Sequence, residues 1–198
     1  MVEITAAVFG ELDRWVWRQF QQHPVLTDAA KVLTDAGSMS ALLPGAVVAG
    51  AVLWWRYRSL LLAVVPWIAL QINSSLVAVL KRTFDVARPL QDNWLSGAAG
   101  GSFPSGHVAN TTALLIAVAV VVFIHESSLA VRRAIIIIAT TGIVMMAWTR
   151  LALNVHWLSD VLAGAIVGTV IATATAYVAI TIRSRRENQL RIRDQSAS

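Results

Sequence analysis

The sequence predicts an all-α integral membrane helical bundle with about five transmembrane spans and an N-terminal amphipathic helix. Three observations lead there. The 198-residue chain is 57% hydrophobic and only 14% charged, with a mean hydropathy of +0.64, too apolar for an ordinary soluble domain. Its apolar residues form five long runs. Arginine is concentrated in alternate loops between those runs, the pattern that fixes orientation in a bilayer. Cysteine is absent, which excludes disulfides, thiolate-bound zinc and iron–sulfur clusters. The net charge of +5 follows the membrane pattern and implies no nucleic-acid partner. Arginine outnumbers lysine fourteen to two, and nothing functional follows from that ratio.

The elements follow in chain order. Residues 1–38 read as an amphipathic, interfacial segment. Met1 to Phe20 lacks the basic start, apolar core and small-residue cleavage site of a signal peptide. Ile4, Val8, Leu12, Val16 and Phe20 instead form an i,i+4 stripe, with Glu11, Asp13, Arg14 and Arg18 largely elsewhere on the wheel. Trp15 and Trp17 suit the headgroup region, so this helix lies on the membrane or on the bundle. The transmembrane domain covers 39–182. Its spans are roughly 41–55, with Met39 and Ser40 as an extension, then 59–80, 108–124, 134–148 and 158–182. Several are shorter than the ~20 residues that a ~30 Å hydrocarbon core requires. Pro66 should kink the second span, and Gln71, Asn73, Ser74 and Ser75 should face the bundle interior as hydrogen-bonding groups. Gly164 and Gly168 mark a small-residue packing face. The loop from Arg82 to Phe103, with Gly97, Gly100 and Gly101, is long enough to gate substrate. The 183–198 tail is polar, expected to fray, and serves as a topology anchor.

Orientation comes from the loop arginines. Arg56 and Arg58, Arg132 and Arg133, and Arg183, Arg185, Arg186, Arg191 and Arg193 fall on one side of a five-span bundle, nine of the sixteen basic residues. That side is cytoplasmic, carboxyl tail included. The amino terminus and the motifs described next then face outward, in a multi-pass protein of the plasma membrane.

Three stretches hold nearly all the clustered phosphate-binding and proton-transfer groups: Lys81 to Arg88-Pro89, Pro104-Ser105-Gly106-His107, and Thr149-Arg150 with His156 and Asp160. Ionisable groups in or beside membrane spans are costly, so their default reading is functional. Lys81 and Arg88 stand seven residues apart, two helical turns, and both can reach one cluster of anionic oxygens before Pro89 stops the helix. Alone, such a pair is more often a membrane anchor. Ser105-Gly106-His107 opens an apolar helix, whose amide-rich positive end attracts anions. Ser105 can cap that helix and donate a hydroxyl, and Gly106 lets backbone approach a phosphate. Plain capping with an interfacial His107 explains the same residues. His156 and Asp160 are four apart on one face at the start of the fifth span. An Asp accepting one imidazole N–H leaves the other nitrogen able to attack phosphorus, provided the backbone bends near His156. A proton relay or a structural hydrogen bond fits that pair too. No metal site is expected, because the nearby cations oppose it. His23, in a His-Pro turn, and His125, at a helix end beside Glu126, read as structural.

Taken in order, Lys81 with six intervening residues before Arg88-Pro89, then Pro104-Ser105-Gly106-His107, then Arg150, five residues, His156, three residues and Asp160, the motifs resemble the type 2 phosphatidic acid phosphatase superfamily. That group includes lipid phosphate phosphatases, bacterial acid phosphatases, glucose-6-phosphatase and vanadium haloperoxidases. Thr149 departs from the usual serine before the arginine but keeps a hydroxyl. The resemblance implies His156 as a nucleophile forming a phosphohistidine, Asp160 as its orienting partner, and His107 as the acid and then the base. It further implies Lys81, Arg88, Ser105, Gly106 and Arg150 as ligands of the phosphate oxygens, with no cofactor and no metal.

The expected activity is hydrolysis of a lipid phosphate or pyrophosphate: polyprenyl pyrophosphate, phosphatidate or phosphatidylglycerophosphate. Its partners are that substrate and the surrounding membrane lipids, and no feature sets an oligomeric state. Phosphoryl transfer to a second lipid would use the same residues. A vanadate-holding oxidising enzyme is disfavoured by the five spans. A transporter with a His156–Asp160 proton relay leaves Lys81, Arg88, Ser105 and Arg150 unexplained.

Overall fold

The computed structural model describes residues 2–21, 27–89 and 100–196. The expected His23-Pro24 turn and the centre of the proposed gating loop, Gly97 included, lie outside the described residues. The described residues are mostly helical: α1 (Val2–Gln21), α2 (Thr27–Thr34) with a 3-10 turn at Asp35–Gly37, α3 (Met39–Tyr57), α4 (Leu60–Ala63), α5 (Val65–Phe84), α6 (Gly106–His125), α7 (Leu129–Ala152) and α8 (Leu158–Ser196). Five stretches are long and apolar enough to cross a bilayer: α3, α4 with α5, α6, α7 and α8.

The second span breaks where proline was expected to act. Val64 separates α4 from α5, and Pro66 occupies the first turn of α5, where its missing N–H costs nothing. The Val64 amide turns back onto Leu60 O and Leu62 O. Behind it, Asn73 is fully buried and its Nδ2 donates to Asn110 Oδ1 at 2.7 Å. Gln71 and Ser74 are half-buried, while Ser75 is exposed, so only part of that polar run turns inward.

Helix α6 is the centre of the bundle. Its buried side chains run from Val108 to Val121, and α5, α7 and α8 surround it. Helix α8 approaches closest. A Cβ at Gly164 would stand 2.7 Å from Ser105 O, and one at Gly168 would overlap Ala109 O, so glycine is required at both positions. One apolar cluster, with Leu53, Leu62, Val65, Val121 and Ala172, lies toward the end away from Ser105. Others, with Leu42, Leu70 and Leu114 and with Val108, Met146 and Val161, fill the remainder.

Three expectations change. The fourth span is 24 residues, Leu129–Ala152, about 36 Å, rather than 134–148. Arg132 and Arg133 lie in its first turns, where they had suggested a loop, and Arg150 lies in its last turn. Arg132 reaches back to Glu126 O at 2.5 Å. The tail does not fray at 183: α8 continues to Ser196, supported by the Arg183–Glu187 pair at 2.8 Å one turn apart. In α1 the face turned to the bundle carries Asp13, Val16, Trp17 and Phe20, whereas Leu12 is 46% exposed. The Ile4 and Val8 side chains lie outside the described set. Asp13 was expected among the solvated residues and is buried, because it caps another helix.

Arg56, Glu126 and Arg132 meet at one end of the bundle. The three motif stretches meet at the other.

Candidate active site

The first stretch does not continue as helix to Arg88. Helix α5 stops at Phe84 because Asp85 adopts a left-handed conformation (φ 40°) with its amide on Lys81 O. Pro89 therefore stands beyond an already finished helix, and Lys81 and Arg88 converge through a turn rather than along two helical turns. Lys81 Nζ donates to Gly101 O at 2.7 Å and to Ser102 O at 3.3 Å. Arg88 donates from Nε to Gly100 O at 3.0 Å and from NH1 to Val155 O at 2.7 Å. These two cations thus tie the segment preceding the second motif to the residue preceding His156. Phe84 and Phe103 meet edge to face, closing the same turn.

Ser105 stands at the N-cap position of α6, yet its hydroxyl makes no capping bond, contrary to expectation. Its amide is drawn to Asp160 O at 2.9 Å, which sets the backbone and leaves Oγ buried without a partner among the described residues. A buried, unmatched hydroxyl is costly and calls for a ligand or a water. A Cβ at Gly106 would meet only Val77 Cγ1 at 3.7 Å and Lys81 Cε at 3.8 Å, ordinary contacts. Protein packing therefore does not demand glycine there. His107, in the first turn of α6, is half-buried and lies against the 3-10 turn: a Cβ on Gly37 would be 3.2 Å from its Cδ2.

The third stretch bends as the His–Asp spacing required. Helix α7 ends at Ala152, Asn154 turns left-handed (φ 57°), and His156 falls in the connection before α8 instead of on it. This frees its ring to meet Asp160: Nδ1 lies 3.2 Å from Oδ2. Asp160 is the third residue of α8, and Oδ2 also accepts the Trp157 amide at 2.9 Å, the return half of a capping box. Asp160 Oδ1 accepts from Ser102 Oγ at 3.4 Å. With Nδ1 engaged, His156 Nε2 carries the lone pair, and Arg88 NH1 sits 3.4 Å from it. The ring is almost wholly enclosed. Burial foremost, then the charges of Arg150, Arg88 and Lys81, push its pKa well below that of an ordinary histidine, so it is neutral at pH 7.

Arg150 is 4% exposed and donates from NH1 to Thr34 Oγ1 at 2.6 Å, while its Nε has no partner among the described residues. Thr149, in contrast, spends its hydroxyl on Met146 O at 2.8 Å in its own helix. The structure therefore gathers the three motif stretches at one end of the bundle. It also adds Thr34 and Ser102, which sequence reasoning did not single out. A threonine before the first span carries no local signal. Ser102 stands three residues before the second motif in a glycine-rich loop, and only the fold brings it to Asp160.

Residues 61–184 match the PAP2 superfamily. The chain belongs to that superfamily. No curated protein matches at the sequence level. Among solved structures, the protein is similar to the transmembrane PAP2-type phosphatidylglycerolphosphate phosphatase of Bacillus subtilis, with a TM-score of 0.77 at 23% identity over 93% of this chain and 92% of that one. It is also similar to LpxE of Aquifex aeolicus, with a TM-score of 0.60 at 25% identity over 83% of this chain and 92% of the other. The fold is that of the membrane PAP2 phosphatases.

Proposed function

We propose that the protein hydrolyses a lipid phosphate or pyrophosphate through a phosphohistidine on His156. The observation that carries this reading is the His156–Asp160 bond beside Arg88, which leaves a neutral, oriented Nε2 facing cationic donors. Nε2 attacks phosphorus, the bond to the leaving oxygen breaks, and His107 donates its proton to that oxygen. Water then attacks the phosphohistidine, His107 takes a proton from it, and the P–N bond breaks to release phosphate. Lys81, Arg88, Arg150 and the Ser105 hydroxyl stabilise the charge that develops on the equatorial oxygens, aided by the amide end of α6 at Gly106. Among the described residues, three cations face the one carboxylate of Asp160 in the bonded site, a surplus that a phosphate dianion balances. With that much positive charge in place, the reaction needs no metal.

The substrate carries an apolar tail, since the site sits at the end of membrane-spanning helices. The arginine-rich segments at the opposite bundle end support a site on the extracytoplasmic face of the plasma membrane, with the carboxyl end of α8 in the cytoplasm. Polyprenyl pyrophosphate, phosphatidate and phosphatidylglycerophosphate all fit. The test is phosphate release by the purified, detergent-solubilised protein across a panel of these lipids, with and without EDTA. Release from at least one lipid, undiminished by EDTA and inhibited competitively by vanadate, is expected. Release that disappears in EDTA and returns with a divalent cation would replace this mechanism by a metal-dependent one.

A further inference from the structure

We propose that Asp13, on the helix before the first span, is a positioning residue that holds the start of α8 where the His156–Asp160 pair requires it. The proposal rests on the phosphatase reading above. Asp13 is 8% exposed, although its neighbours Leu12 and Arg14 are open to the surroundings. Both carboxylate oxygens are spent on one residue: Ser159 N donates to Oδ1 at 2.9 Å and Ser159 Oγ to Oδ2 at 2.8 Å. Ser159 is the second residue of α8 and lies in sequence between the nucleophile and its orienting carboxylate.

The first amides of a helix have no partner inside it. Here the Trp157 amide goes to Asp160 Oδ2 and the Ser159 amide goes to Asp13. The same Asp160 oxygen orients His156, so the path of the backbone into α8 decides where that oxygen stands relative to the imidazole. A second tie repeats the arrangement one turn along α1. The Trp17 ring lies against Trp157, with centroids 6.4 Å apart, and Trp157 Nε1 donates to Ala87 O, the neighbour of Arg88. Helix α1 thus grips positions 157 and 159, on either side of the α8 start. His156 belongs to no helix: its ring is held by Asp160 and Arg88, and its backbone takes its path from the residues on either side. A cap supplied from within α8 would secure α8 alone. A cap supplied by α1 makes the site depend on the segment before the spans.

The experiment measures phosphate release from a lipid that the wild type hydrolyses, with His156→Ala as the inactive reference. Asp13→Ala should lower kcat by ~10–100-fold with KM little changed, the scale of a displaced reacting group. Asp13→Asn should recover most of it, since the amide oxygen still accepts from Ser159 N and the hydroxyl can accept from the new NH₂. Ser159→Ala, which removes one of the two bonds, should fall between. Wild-type kcat in Asp13→Ala, a loss confined to KM, or Asp13→Asn as impaired as Asp13→Ala would each overturn the proposal while the phosphatase reading stands. If Asp13→Ala does not fold, Ser159→Ala decides: wild-type kcat there overturns it. A wild type inactive on every lipid is the separate outcome that removes both readings.

Discussion

At the end of the bundle that carries Arg56, Glu126 and Arg132, the buried carboxylate is met by a cation and by backbone amides. Arg56 NH2 pairs with Glu126 Oε2 at 2.9 Å, Glu126 Oε1 takes the Ser127 and Ser128 amides, and Arg132 covers Glu126 O. At the opposite end Lys81, Arg88 and Arg150 are half-buried or buried around one bonded carboxylate, and much of their donating capacity goes to backbone carbonyls and to Thr34. The first arrangement is a satisfied joint between helices. The second is unbalanced and also leaves Ser105 Oγ and Arg150 Nε unmatched. An imbalance of that kind is costly in isolation, and it is the reason for proposing that a phosphate binds at that end.

The largest effects should therefore separate the two ends by activity. His156→Ala should abolish phosphate release, and His107→Ala should reduce it ~10²–10⁴-fold, less for substrates with good leaving groups. Glu126→Gln, at the other end, should leave turnover unchanged and alter stability little, because Arg56 is half-exposed. Normal release by the His156 variant would remove the nucleophile assignment. A catalytic defect in Glu126→Gln would mean the two ends are coupled.

Sidedness comes next. With no native cysteine, an Ala87→Cys protein should react with a membrane-impermeant thiol reagent in intact cells, and Arg133→Cys only after permeabilisation. The reverse pattern would invert the orientation and leave the chemistry untouched.

Two glycines sharpen the comparison within the site end. Gly164→Ala forces a methyl toward Ser105 O and should cost ~1–3 kcal/mol of stability. Gly106→Ala meets only ordinary contacts, so thermal stability should hold while kcat/KM falls, if the methyl takes space that the phosphate needs. Equal stability loss in both would make Gly106 a packing residue.

The five spans were legible because a bilayer demands long apolar runs, and the motif residues because buried ionisable groups are rare. Span ends were not: Arg132 and Arg133 looked like loop charges, yet their long stems let a helix continue beneath them. The α5 end was missed for another reason. A left-handed Asp85 carries no strong sequence mark, whereas Pro89 does, and the eye stops at the proline. Contacts made across the fold stayed hidden altogether. Nothing local distinguishes Thr34 or Asp13 from solvated residues, and each acquires its role only when α7 or α8 arrives beside it.

The smallest effect concerns acid. Burial and the neighbouring cations hold the folded His156 pKa below its unfolded value of ~6.5, so the unfolded chain binds more protons as the pH drops past that value. Stability should then decline from about pH 6.5 downward, and His156→Asn should flatten that decline. Glu126 has a lowered pKa as well, chiefly through the Ser128 amide, then through Arg56 and the Ser127 amide. A depressed carboxyl contributes stability above its unfolded pKa of ~4.3 and loses it as the pH falls through the folded value. Glu126→Gln should therefore change the curve only below about pH 4.5. Thermal melts of the two variants and the wild type from pH 7.5 to about 3 read both windows in one series. If His156→Asn keeps the wild-type slope between pH 6.5 and 5, the imidazole is not held neutral, and the nucleophile would have to lose a proton before it could attack.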